Sequence, residues 1–407
     1  MNNDLLWTAA YAGCMASIII FFVVGETQVF ASVRTQSASV FFVQSTTSEQ
    51  IQNNYNNANT AKKVRILIVP GHQPNIGGTE FKDLYERDFV VDIANALAGF
   101  LSKNARFSVI VARDKTKWNT TLESYFKTHA LEIETFMQSQ KSQMQNYLAN
   151  GSILPATGDV PHNNATATSS IQLYGINKWA GENDVDITLH LHLNDYVGHR
   201  ANRTGEYDGF TIYVPDHQYS NAEASKAIAK AIAVRLNSYH ATSTLPKEDT
   251  GVVEDQKLIA IGSNNSADNA ALLIEYGYIY EPQFQEPSVR SVAFADYAYQ
   301  TYLGLQDFFN DPIETSRGSI SFPFDWTDVT AEKNQRGPGV YALQSALRHL
   351  GFYPPDGKSF SECPISGVSG HCTRSAISDY QEKHGLTVTG QLGPKTREAL
   401  KRDLVVP

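Results

Sequence analysis

The chain has 407 residues and a formal net charge of −9, and no basic stripe runs along it. That balance argues against a nucleic-acid binder. Hydrophobic residues at 42% against 18% charged describe an ordinary globular protein, long enough for two domains or one large one. Of the three cysteines, Cys14 lies in an apolar N-terminal segment, while Cys363 and Cys372 lie together near the C-terminus. With no CxxC pair, a cysteine zinc site is not expected. The two late cysteines read as a disulfide if the chain is exported, and as free thiols in a reducing compartment.

Leu5 to Gly25 contains no charged residue. Its length fits a signal peptide or a membrane span. The positive start of a signal peptide is missing, but Val29-Phe30-Ala31 resembles a cleavage site. Residues 1–31 are read as an export segment, cleaved or kept as a membrane anchor, with a buried core helix as the alternative. Residues 32–62, rich in Ser, Thr, Gln and Asn, read as a flexible linker.

A first domain is assigned to residues 63–310. Ile66-Leu67-Ile68-Val69 is a buried strand, Pro70-Gly71 breaks it, and His72 stands just past the break. A small, flexible stretch, Asn75 to Gly78, precedes a helix with apolar positions Phe89, Val90, Ile93, Leu97 and Phe100. Glu86 and Asp88 occupy its first turn, where carboxylates suit the positive helix end. Phe107 to Ala112 is a second strand. Residues 117–150 carry a helical pattern (Leu122, Tyr125, Ile133, Met137), a loop fills 151–170, and a short helix covers 171–181. In Asp184 to Asn194, Ile187, Leu189, Leu191 and Leu193 alternate with Thr188, His190, His192 and Asn194. Period two puts both histidines on one face of a strand. Gly209 to Val214 is a strand, Asn221 to Ser238 a helix, and Leu258 to Ile261 a short strand. Asn269 to Tyr276 is a buried strand that ends in Glu275, and residues 291–310 form the closing helix. Residues 311–338 read as a linker. Residues 339–407 form a second, small domain of three helices (341–350, 373–384 and 393–403), whose long loop the two cysteines would pin.

His72, Glu86, His192 and Glu275 are the candidate site. A strand end and a helix start offer an imidazole and a carboxylate from rigid elements, as a zinc site requires. Two imidazoles on one strand face call for a partner, either a metal or a polar cluster. A carboxylate at the end of a buried strand is costly unless it is paired or functional. Taken singly, each of these features is more often structural.

In order, the four resemble the zinc-dependent N-acetylmuramoyl-L-alanine amidases of the bacterial cell wall, over roughly residues 63–310. Pro70-Gly71-His72 matches the motif of the first zinc ligand, Glu86-Arg87-Asp88 that of the second, and Asp186 to Asn194, with His192, that of the third. Leu273-Ile274-Glu275-Tyr276-Gly277-Tyr278 matches the motif of the catalytic glutamate. The resemblance implies an α/β fold with a mixed sheet flanked by helices, a Zn2+ cofactor held by His72, Glu86 and His192, and Glu275 as catalytic residue. Val69 replaces the family's aspartate, and His190 replaces a serine, which makes His190 the alternative to His192 as ligand. In the last domain, Gln344, Gly367, Thr373, Gln381, Gly390 and Thr396 are among positions that resemble a peptidoglycan-binding module of three helices.

The largest departure is the helical insertion at 117–170. By resemblance it implies a lid displaced by a protein activator, with Glu123, Glu132 or Glu134 as blocking ligand; the alternative is a solvated decoration. Three functions follow: hydrolysis of the amide between the N-acetylmuramoyl lactyl group and L-alanine of peptidoglycan, a non-catalytic or autoinhibited peptidoglycan-binding protein, or a zinc peptidase acting on the stem peptide. All three place the protein outside the cytoplasm, in the cell envelope or beyond it.

Overall fold

The computed structural model describes residues 46–404 apart from 60–61, 159, 163–164, 262–268, 312–323 and 325. The export segment expected within residues 1–31 lies outside these. No helix among the described residues is long and apolar enough to cross a membrane.

The centre is a six-stranded sheet in the order β4-β1-β5-β8-β6-β7. Its strands are β1 (Val64–Pro70), β4 (Phe107–Val111), β5 (Ile187–Asn194), β6 (Thr211–Pro215), β7 (Val252–Asp255) and β8 (Ala270–Tyr278). β4, β1, β5 and β8 run parallel, whereas β6 pairs antiparallel with β8 and parallel with β7. Inner strands β1 and β8 are buried on nearly every residue, which is why they read as continuous apolar runs. The mixed sheet is the one expected.

Helix α2 (Glu86–Leu101) packs one sheet face through Phe89, Val90, Ile93 and Leu97. Between β1 and α2 lies a small hairpin, β2 (Glu80–Phe81) and β3 (Leu84–Tyr85). The insertion forms α3 (Thr120–Thr128) and α4 (Ala130–Ala149), broken at His129, and a loop then leads to α5 (Ala167–Glu182). Leu122, Ile133, Met137, Tyr174 and Trp179 pack with Leu67 and Val69 on the other sheet face. Helices α6 (Ala222–Leu236) and α7 (Pro287–Phe308) complete the layer shared with α2.

Three sequence expectations are corrected. Within the supposed linker 32–62, Ser48–Asn56 is helix α1, capped by Thr47, whose hydroxyl accepts the Gln50 N–H. Ile51 and Tyr55, one turn apart, are fully buried, and Tyr55 stacks on Phe309 at 4.3 Å. Two apolar residues in a polar run are too few to show periodicity, yet they suffice to dock one helix face. Leu258 to Ile261 is a turn and not a strand; the edge strand is β7, just before it. The Asp255 carboxylate accepts the N–H groups of Lys257 and Leu258 at 2.7 Å and turns the chain there. The described end of the linker 311–338 is core: Trp326, Val329 and Ala331 are buried in the same apolar cluster as both domains.

The C-terminal helices are α8 (Pro338–His349), α9 (His371–Lys383) and α10 (Pro394–Asp403). Gln344 Oε1 accepts the Ser366 and Gly367 N–H groups, while its Nε2 donates to Thr373 Oγ1. Gln381 repeats the device one helix later, with the Thr389 and Gly390 N–H groups and Thr396 Oγ1. A disulfide joins Cys363 to Cys372 across the loop between α8 and α9. The domain is docked and not tethered. Tyr341 is fully buried with its hydroxyl 3.4 Å from Asp296 Oδ2 on α7, and Arg348 Nε donates to Ser238 O at 2.7 Å.

Candidate active site

At the carboxyl ends of β1, β5 and β8, the usual place for a site in an α/β sheet, three side chains converge. His72 adopts φ +66° just after β1, which turns its ring back over the strand end. Glu86, the first residue of α2, is 2% exposed. Its Oε2 accepts the Thr79 N–H at 2.8 Å and its Oε1 the Leu193 N–H at 3.0 Å, so the carboxylate is fixed from two sides. His72 Nε2 lies 2.8 Å from Glu86 Oε1, buried and without an aligned hydrogen bond. His192 Nδ1 lies 3.1 Å from the same oxygen. The two rings meet edge to face at 4.8 Å.

Two glycines make this approach possible. A Cβ on Gly71 would fall 2.3 Å from the His192 ring, and one on Gly78, at φ +83°, would fall 3.1 Å from Glu86 Oε2. Any side chain at these positions displaces a site residue.

The electrostatics follow from burial. Burial opposes ionisation of Glu86, yet the charge of His72 and the hydrogen bond from His192 hold its carboxyl well below the usual range. Burial pushes the His192 imidazole down, against the pull of Glu86, so the ring stays neutral and keeps a lone pair.

Glu275 stands directly opposite His192 across β5 and β8, with Thr211 opposite it on β6. Its Oε2 is buried without a partner, and burial, with Glu86 and Glu248 nearby, raises its carboxyl well above the ordinary value. His190 points to the same face but does not join the cluster. Fully buried beside Val69 and Leu273 in the ladder, it has no partner on either ring nitrogen, and burial pushes it down to about 3.

The carboxylates of the insertion are elsewhere. Glu123 pairs with Lys127 at 2.7 Å, Glu132 lies 3.7 Å from Lys178, and Glu134 is exposed. Spacing of i, i+4 gives Glu123 its own cation on the helix surface. The insertion meets the rim where Gln73 Nε2 donates to Ser169 Oγ at 3.2 Å, and its loop packs Val160 with Tyr213 and Leu273, two residues before Glu275. His72 and His192 side chains remain 27% and 17% exposed, so solvent reaches the cluster.

Two supports were not anticipated. Arg113, 2% exposed, donates to the carbonyls of Pro70, Gly71 and Arg87 and ties the His72 loop to the start of α2. An arginine directly after the apolar strand run was the available signal. Glu248, fully buried, accepts from Asn194 Nδ2 at 2.8 Å and from the Tyr213 hydroxyl, bracing the strand end beyond His192. Nothing local in the sequence marks it.

Residues 66–306, more than half the chain, match the family of N-acetylmuramoyl-L-alanine amidases, and residues 336–400 match a peptidoglycan binding domain. The chain belongs to the N-acetylmuramoyl-L-alanine amidase family. Its reaction is hydrolysis of the amide between the lactyl group of N-acetylmuramic acid and L-alanine in peptidoglycan. Of the three readings drawn from the sequence, this is the one the family match supports.

Similar solved structures include an N-acetylmuramoyl-L-alanine amidase from Clostridium difficile 630, at 19% identity over 61% of this chain and 97% of that one, with a TM-score of 0.37. The CwlD amidase of Clostridioides difficile, solved in complex with the GerS lipoprotein, has 14% identity over 61% and 99%, with a TM-score of 0.39. The Ami1 amidase of Mycobacterium smegmatis has 14% identity over 61% and 99%, with a TM-score of 0.37. No curated protein matches the chain.

Proposed function

We propose that this amidase is zinc-dependent, with His72, Glu86 and His192 as the protein ligands and Glu275 as general base and then general acid. The observation that carries the reading is the convergence of His72 Nε2 and His192 Nδ1 on one buried carboxylate oxygen, all three within 4.8 Å of one another. The donor set fits: two imidazoles and a carboxylate make a three-ligand catalytic zinc site. The unaligned His72 nitrogen fits too, because it is aimed at the carboxylate yet spends no hydrogen bond on it. Zinc, when bound, supplies Lewis-acid polarisation of the scissile carbonyl and acidifies water.

The chain's own residues do the rest. Glu86 is locked by the Thr79 and Leu193 N–H groups, so its free geometry is small. Glu275 takes a proton from the attacking water and returns it to the L-alanine nitrogen, which leaves only as a neutral amine. The units are a catalytic domain at 63–310 and a peptidoglycan-binding domain at 339–407. The apolar segment within residues 1–31 directs export to the cell envelope or beyond, cleaved or kept as an anchor. The insertion at 117–170 is open to engagement by a protein activator through its exposed face.

The test is digestion of purified peptidoglycan by the chain, as prepared, after chelation and after zinc is restored, with products read by mass spectrometry. Free stem peptides beginning with L-alanine, lost on chelation and regained with zinc, are expected. Metal analysis should give about one zinc per chain, and much less in His72→Ala. Undiminished release after complete chelation would overturn the zinc reading.

A further inference from the structure

A cleft of about 660 Å³ lies between the catalytic domain and the C-terminal domain, within the size range of ligand sites. One wall is built by the segments that leave the site end of the sheet: the β2–β3 hairpin, the stretch before β6 and the turn after β8. The other wall belongs to the disulfide-closed loop and to Arg336. Both walls are fixed. Arg336 bridges to Val368 through its backbone, and the close approach of Gly367 to Val289 seats the loop on α7.

The charges on the walls are mixed, and they are not equally engaged. Glu281 accepts the N–H groups of Gly209 and Tyr278 and the Gln283 amide, and Glu362 is paired with Lys358 at 2.6 Å. Asp208 accepts the Thr244 hydroxyl, and Glu206 bonds the Tyr207 hydroxyl. The two cations are different. Lys82 on the hairpin and Arg336 on the opposite wall are both exposed, and neither meets a carboxylate among the described residues. Both line the cleft, one on each wall, with Lys82 Nζ lying 4.7 Å from the Phe81 ring centre.

We propose that this interdomain cleft binds the stem peptide of the substrate, with Lys82 and Arg336 holding its carboxylates. The inference rests on the amidase reading and deepens it: the C-terminal domain is part of the substrate site as well as a wall anchor. A peptide suits the walls better than bare glycan, because two cations without carboxylate partners among the described residues call for carboxylates. The tight docking of α8 on α7 keeps the two cations at a set spacing, which a tethered anchor would not do.

Steady-state kinetics on the full chain test this with a soluble disaccharide–peptide, too small to need anchoring, and with the same compound amidated at its peptide carboxylates. Lys82→Ala and Arg336→Ala should each raise KM for the free-carboxylate compound about 3- to 5-fold at unchanged kcat. The double variant should no longer distinguish the two compounds. Wild-type KM in Arg336→Ala overturns the proposal. An equal rise on the amidated compound also overturns it, because the loss would then come from glycan contacts or distortion. If the wild-type chain turns over neither compound, the amidase reading fails separately. Calorimetric titration with free stem peptide then decides: binding lost in Arg336→Ala supports the cleft, and absence of binding to the wild type sinks it.

Discussion

Gln344 in the C-terminal domain and Glu275 in the catalytic domain are both polar groups held away from water, and the chain handles them in opposite ways. Gln344 satisfies two N–H groups and two oxygens, and Gln381, on the next helix, satisfies two N–H groups and three oxygens. Glu275 Oε2, His190 and the hydroxyls of Thr188 and Thr211 share one sheet face, all buried and without partners. Unmet polar groups cost about 1–3 kcal/mol each. A fold keeps such a cluster only where something else gains from it. In the small domain two buried glutamines build loops, whereas this sheet face leaves its polar groups unpaired.

The largest expected effect breaks the second half of this contrast. Glu275→Gln keeps the shape and removes the proton acceptor. Turnover on peptidoglycan should fall about 10³-fold, in the middle of the range for a lost general base, while bound zinc and thermal stability hold. Near-wild-type turnover would remove Glu275 from the reaction.

Gln381→Leu breaks the first half. It leaves the buried Gly390 N–H and the part-exposed Thr389 N–H without their shared acceptor. Stability should fall by about 3 kcal/mol, read by denaturant unfolding. The metal content and kcat of the surviving folded protein should not change.

Glu281 lies between the two cases, because it is well bonded yet titratable. Burial pushes its carboxyl up to about 7, against about 4.3 in an unfolded chain. The folded state therefore holds the proton to higher pH. Its stabilisation is complete below about pH 4 and is lost as pH rises through about 7, a change of about 4 kcal/mol at most. Glu281→Gln still accepts the Gly209 and Tyr278 N–H groups. Gln283, whose Oε1 has no partner, can turn to accept from the new amide. Unfolding curves from pH 5 to 8 should slope for the wild type and flatten for the variant; parallel curves would assign the slope to other groups.

The legibility of the chain divides along the same line. His72 and Glu275 stand out as candidates at the ends of apolar strand runs, Glu86 at a helix start, and His192 in a period-two strand. The motif already favours His192 over His190, because Asn194 also falls in place, and the register sets His192 opposite Glu275. Arg113 and Glu248 escaped because their partners are distant in sequence: Pro70 lies 43 positions from Arg113, and Asn194 lies 54 from Glu248. Helix α1 and the Trp326–Ala331 stretch escaped for another reason. Their few apolar residues carry no period, and burial against an existing core organises them.

The smallest effect concerns the insertion, which the contrast does not yet place. Asn119 caps α3, accepting the Leu122 N–H and donating to Val111 O, both at 2.8 Å. Asn119→Ala should cost about 1 kcal/mol. Hydrogen exchange should report that loss as faster opening of residues 120–128, because Leu122 and Tyr125 still hold the helix to the sheet. If the insertion is only packing, turnover stays within about twofold, as expected for a substitution outside the machinery. A clear rise in turnover as the helix loosens would instead show that the insertion restrains the site through its contact at Gln73, although none of its described carboxylates reaches the cluster.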